Sequence, residues 1–389
     1  MRRRDLLCGC CGSGLLAFWP GGAPAGVADT PRFARPDLAS DEGGLWALMD
    51  REEERLRRSR FLLGDDALQR YVSDIACRLA GDHCPDMRVY LVRTPYFNAS
   101  MAPNGMMQVW SGLLLRAANE AQLAAVLAHE VGHYLKRHSL ERLRDARAKA
   151  GFAQFLGLAL GAAGAGSIGQ VAQLGVLASV YSFSRDHERE ADAIGLELMH
   201  RAGYDAGEAS RVWAQLIEEN AGEDGGGTLL FATHPSADER RDTLQAAAKA
   251  LASDGAPGEV HAERYRSHIA PLRLQMLQDE LRRRVPDSSL RLFDRLMTHH
   301  GRDGQLLYAR AEALRSRARD EDFEQALAAL DEADALPDRP AEAMRLRGQI
   351  LRRRNDAEGA RNAFRNYLEL RPGAPDAPMI RSYVETPAP

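Results

Sequence analysis

Over residues 43–80 apolar side chains recur every three or four positions. Leu45, Leu48, Met49 and Leu56 make one face of a charged helix over 43–60, and a second helix is predicted over 65–79. The period then falls to two. Met87-Arg-Val-Tyr-Leu-Val92 alternates as a strand, and 106–110 reads as another after the turn signal Pro103-Asn104-Gly105. An exposed edge at 106–110 could pair with an extended peptide. Helical spacing returns from Glu120 to His129 with alanine, leucine and valine, and again from Ser184 through Leu196 and Leu198, and over 204–220. Residues 150–184 carry no charge but are rich in glycine and contain Gln154, Gln170 and Gln173. They read as two Gly-rich helices or as an amphipathic hairpin facing a membrane, and the stretch is long enough to span one. An acidic, Gly-rich loop over 221–227 precedes Thr233-His234-Pro235 and reads as a lid.

Beyond residue 262 the pattern becomes arginine-rich amphipathic helices. Ala326, Leu330 and Ala333 are matched 34 residues later by Ala360, Phe364 and Tyr367, with Gly348 twelve before Ala360. These are small-against-large packing positions of tetratricopeptide-type helix pairs, whose stacks form concave surfaces for partner proteins. Residues 263–300 read as a degenerate earlier pair. The predicted fold class is α+β, mainly helical: a domain with a small sheet over 29–262, then an all-α repeat domain over 263–389.

Length and charge narrow this picture. A chain of 389 residues holds two or three domains, and a net charge of −4 gives no reason to expect nucleic acid as a partner. Arg2, Arg3 and Arg4 precede a short glycine-rich apolar run and small-residue cleavage sites near Ala25 and Ala28. Residues 1–28 therefore read as an export signal, twin-arginine or ordinary secretory, and the protein is expected in the periplasm. Removing that segment takes Cys8, Cys10 and Cys11 with it. Cys77 and Cys84 remain, a pair that could close a disulfide in an oxidising compartment.

The chemistry lies in His129-Glu130-Val131-Gly132-His133. Positions i and i+4 stack on one helix face, so both imidazoles can bind one zinc ion while Glu130 serves as general base in peptide hydrolysis. Gly132, a poor helix former, implies that another element packs close to the helix. Catalytic zinc takes a third protein ligand. Glu188 and Asp192 share one face of the next helix. We assign Glu188 to the metal and Asp192 to orienting a ligating histidine, with His187 as the rival ligand and Glu190 on a different face, solvated or capping. His234 could stabilise the oxyanion, occupy the open metal position, or cap the helix after it.

Together, His129-Glu-x-x-His133, Glu188-x-x-x-Asp192, the segment from Asn98 to Leu113 and Thr233-His234-Pro235 through Arg240 resemble the HtpX and CAAX-prenyl-protease group of zinc metallopeptidases. With the export signal and repeats the chain is most similar to its periplasmic, β-barrel assembly-enhancing type. The resemblance implies a mini-gluzincin fold, one zinc per chain, and quality control of misfolded or stalled envelope proteins. It further implies contact with outer-membrane assembly machinery through the repeats, and 150–184 suggests peripheral membrane contact. The rival reading is a non-proteolytic chaperone or assembly scaffold with a latent zinc site.

Overall fold

A computed structural model describes residues 32–148, 183–221, 237–252 and 258–385. Residues 1–28, read above as an export signal, the stretch 150–182 and the segment 222–236 with His234 lie outside the described residues. Among the described residues no helix is long and apolar enough to cross a membrane.

Helix α1 (Asp41–Arg57) starts at Ser40, whose hydroxyl accepts from the Gly43 amide. Helix α2 (Asp66–Ala80) starts at Asp65, whose carboxylate accepts from the Leu68 amide at 2.8 Å. Both side chains satisfy amides that a helix cannot bond internally. Leu68, Val72, Ile75 and Leu79 form the buried stripe of α2. The tight turn that follows brings Cys77 and Cys84 together in a disulfide, with an S–S distance of 1.99 Å and Cα atoms 4.4 Å apart.

Strands β1 (Arg88–Val92), β2 (Ala99–Met101) and β3 (Met106–Trp110) form one sheet in the order β1-β3-β2. β3 runs parallel to β1, with Tyr90 opposite Gln108, and antiparallel to β2, with Ser100 opposite Gln108. This corrects the expected edge at 106–110: that strand is central and buried at every residue. Its apolar run suits a strand covered on both faces. The outer side of β1 is taken by Phe61 and Leu63, which bond the Arg93 amide and the Leu91 carbonyl. β2 is the opposite edge of the sheet.

Helix α3 (Ser111–Arg116) leads into α4 (Glu120–Leu135), which Asn119 caps by accepting from the Gln122 amide at 2.9 Å. All residues of α4 except Val126 are buried, so this helix is the centre of the domain. α5 (His138–Ala148), α6 (Arg185–Arg201), α7 (Gly207–Glu219) and α8 (Ala237–Ala252) follow. α4 and α6 touch through glycines. A Cβ on Gly132 would lie 2.9 Å from the Ala191 carbonyl oxygen, and one on Gly195 would lie 3.1 Å from the His129 amide nitrogen. The close packing expected at Gly132 is therefore helix on helix.

The remaining helices are α9 (Ala262–Leu281), α10 (Pro286–His300), α11 (Gly304–Arg317), α12 (Asp322–Asp334), α13 (Glu342–Arg353), α14 (Ala357–Leu370) and α15 (Ala377–Glu385). Ala326, Leu330 and Ala333 are buried in α12, as are Ala360, Phe364 and Tyr367 in α14. Gly348 faces the Phe364 ring so closely that a Cβ would stand 2.5 Å from it. One continuous apolar core runs from Leu63 to Ile350, and α9 closes against α4 and α3. Fully buried Arg116 at the end of α3 reaches Glu219 at 2.7 Å on α7 and Glu280 at 2.8 Å on α9.

Candidate metal centre

Helix α4 carries His129 and His133 one turn apart, and their Nε2 atoms lie 3.0 Å from each other. From α6, Glu188 brings Oε2 within 3.5 Å of His129 Nε2 and Oε1 within 3.5 Å of His133 Nε2. All three side chains are buried, and among the described residues they are the one group of three whose donor atoms converge, within 4.8 Å of one another. Two nitrogens held about 2.0–2.1 Å from a tetrahedral zinc stand roughly 3.4 Å apart. Both the spacing and the His-His-Glu donor set therefore fit that ion. The glycine contacts explain the convergence, because only with no side chain between them do α4 and α6 come near enough for Glu188 to reach across.

Glu130 is 2% exposed and lines the same cleft as His129. A cleft of about 460 Å³, measured out to open solvent, runs beside His129 and Glu130. Phe97, Val126, Leu196, Met199, Trp213 and Leu244 form its apolar walls.

Asp192, one turn after Glu188, reaches His129 Nδ1 at 2.9 Å. Burial and the Arg240 guanidinium pull the His129 imidazole down, but hydrogen bonds to Asp192 and Glu188 outweigh them and push it up to about 9. Burial raises the Asp192 carboxyl, yet Arg240 and His129 hold it below the ordinary carboxylate range.

Arg240 itself was missed in the sequence, although it closes the Thr233-His234-Pro235 segment. It projects from α8 with Nη1 at 2.8 Å from Glu188 Oε2 and Nε at 2.8 Å from Asp192 Oδ2, and its guanidinium stacks 4.0 Å over Trp213. One cation thus orients both carboxylates of α6. A second residue was also missed. His138 places Nδ1 2.8 Å from His133 Nδ1 and Nε2 3.2 Å from Glu190 Oε2. Phe183 stacks on the His133 ring at 3.9 Å.

The rival ligand falls elsewhere. His187 does not join the three converging side chains: its Nε2 pairs with Glu141 at 3.2 Å and its ring stacks on His138. Glu190, read as solvated or capping, is half-exposed and bridges Lys136 at 2.7 Å and His138. His234 lies outside the described residues.

Residues 63–248 match Peptidase family M48. The chain is 27% identical over 221 residues to the beta-barrel assembly-enhancing protease of Escherichia coli (strain K12), covering 53% of this chain and 45% of the relative. It is 34% identical over 174 residues to the mitochondrial metalloendopeptidase OMA1 of Schizosaccharomyces pombe, covering 44% and 50%. For OMA1 of Saccharomyces cerevisiae the identity is 34% over 151 residues, covering 38% and 42%. The chain spans about half the length of the curated relatives it matches.

Proposed function

We propose, on the premise that residues 63–248 of this chain are a peptidase family M48 domain, that the protein is an exported zinc endopeptidase. Its substrates are misfolded or stalled envelope proteins, outer-membrane proteins foremost, held extended along the β2 edge and cut in the periplasm. The observation that carries this reading is the buried convergence of His129, His133 and Glu188 beside Glu130. The names of the bacterial relatives support the substrate class.

Zinc, when bound, supplies a Lewis acid that polarises the scissile carbonyl. His129, His133 and Glu188 hold it, with Asp192 and Arg240 fixing the His129 ring and the Glu188 carboxylate. Glu130 takes a proton from the attacking water and returns it to the leaving amine nitrogen as the C–N bond breaks. The apolar cleft beside Glu130 suits a large apolar side chain next to the cut. The helices of 263–389 serve as a recognition domain for unfolded chains or assembly factors.

A Glu130→Gln variant tests the reading. It should bind zinc as wild type does and lose cleavage of an unfolded outer-membrane protein by on the order of 10²–10⁴-fold. Undiminished cleavage would overturn the assignment. A second reading, a scaffold with a latent site, is favoured by the ion pair of Arg240 with a Glu188 oxygen that faces the ligand histidines. In that case Glu130→Gln supports envelope-protein assembly in cells as well as wild type does.

A further inference from the structure

Each zinc-facing histidine has a buried polar group on its rear nitrogen. For His129 the partner is Asp192, and for His133 it is another imidazole, His138. The protons follow from the geometry. His133 Nε2 faces His129 Nε2 at 3.0 Å and Glu188 at 3.5 Å, so it must be the bare, coordinating nitrogen. The ring's hydrogen is then on Nδ1, and it donates to His138 Nδ1 at 2.8 Å. His138 accepts there only as the tautomer protonated on Nε2, and that N–H faces Glu190 Oε2 at 3.2 Å. Glu190 in turn meets the Lys136 ammonium at 2.7 Å.

An unbroken helix could not build this chain. Five residues on, His138 would sit about 140° around from His133, turned away from it. α4 instead stops at Leu135, and Arg137 takes a left-handed conformation with φ 58°, which non-glycine residues rarely adopt. The Arg137 guanidinium is held by an ion pair to Glu42 and lies 5.1 Å over the Phe33 ring. This bend swings His138, 1% exposed, back against His133.

We propose that His138 is a positioning residue for the metal. It fixes the His133 tautomer and ring direction, and relays the negative charge of Glu190 to raise the ring's donor strength. The relay is carboxylate, imidazole, imidazole, one link longer than the direct carboxylate on His129. The inference rests on the reading of His129, His133 and Glu188 as a zinc site.

The test is zinc affinity by chelator competition on the full mature chain, with the visible spectrum of the cobalt-substituted protein as a readout of ligand geometry. His138→Leu should weaken zinc by about 10–100-fold and change the cobalt spectrum. His138→Asn places an acceptor oxygen near the position of Nδ1 and should restore most of the affinity, which a purely space-filling role would not require. Glu190→Ala should give a smaller loss in the same direction. If wild type binds no zinc, the reading of the metal site fails. If wild type binds zinc and His138→Leu binds it equally well with the same cobalt spectrum, the positioning role fails while the site stands. Circular dichroism of the metal-stripped variants separates loss of affinity from loss of fold, and equal loss in His138→Leu and His138→Asn with native dichroism also overturns the proposal.

Discussion

Replacing Arg116 with methionine tests how the domain around α4 is locked to the helices behind it. The Arg116 guanidinium is 1% exposed and holds two buried carboxylates, Glu219 at 2.7 Å and Glu280 at 2.8 Å, as well as the Pro95 carbonyl at 3.1 Å. Methionine fills similar volume but leaves both acids facing an apolar group. Breaking a buried ion pair on one side costs about 3–5 kcal/mol. Here Glu280 keeps Arg283 at 2.8 Å and Glu219 keeps Arg295 at 3.2 Å, so the loss at pH 7 should fall at the low end, about 3 kcal/mol. For a unit of this size that lowers the melting temperature by about 6–12 °C. The pH dependence has a definite sign. Burial raises the Glu280 carboxyl, but Arg116 and Arg283 outweigh it and hold it below its ordinary value. The stabilisation from this group is therefore complete above about pH 4.3, the unfolded value, and is lost as pH falls through the lower folded one. In Arg116→Met burial dominates and the acid protonates more readily. The gap between wild type and variant should narrow on acidification, and Glu280→Gln added to the variant should recover part of the loss at pH 7. The assay is calorimetry of the pure chain between pH 4 and pH 8. An unchanged melting temperature at pH 7, or a gap that widens on acidification, refutes the reasoning.

Gly132→Val pushes branched carbons into the Ala191 backbone and should separate α4 from α6, weakening zinc binding by at least tenfold even where the fold survives; an unaltered zinc affinity counts against the helix-contact argument. Arg240→Met removes the cation that Glu188 and Asp192 share, so the metal-stripped protein should melt lower and the rise in melting temperature on adding zinc should be larger than in wild type; equal zinc-induced shifts contradict that role. Stripping the metal with 1,10-phenanthroline should abolish cleavage reversibly, with activity restored by one equivalent of zinc per chain and not by magnesium. Gly348→Leu should destabilise the α13–α14 pair by about 1–3 kcal/mol through its clash with Phe364, measurable as a lower first transition in denaturant without loss of zinc.

Much of this was legible in the sequence because it is local. Helical spacing marked α1, α2, α4, α6 and α7 to within a few residues, and the alternation at 87–92 and the turn signal before 106–110 marked two strands. The i and i+4 rule brought His129 to His133 and Glu188 to Asp192. What could not be read depends on contacts between distant positions. Arg240 meets His129 across 111 residues and Asp192 across 48. The place of 106–110 in the middle of the sheet depends on β2, three residues long and too short to show a period. His138 was overlooked for a different reason: its register makes sense only after the left-handed turn at Arg137, and nothing in the residue types Lys136-Arg137 announces one.

The first turn of α4 carries an implication for how the chain assembles. Glu120 is fully buried there, with the Tyr71 hydroxyl at 2.7 Å, the Tyr204 hydroxyl at 2.6 Å and Arg264 Nε at 2.6 Å. Arg78, at 3.7 Å, is a more distant cation. Arg264 belongs to α9, beyond the segment that matches the peptidase family, as does Tyr265, whose hydroxyl donates to the Leu114 carbonyl at 2.6 Å. A chain emerging N-terminus first therefore cannot pair Glu120 with Arg264 until α9 has followed. The main counter-charge of this buried acid comes only with α9, and a fragment ending at residue 248 would bury Glu120 without it.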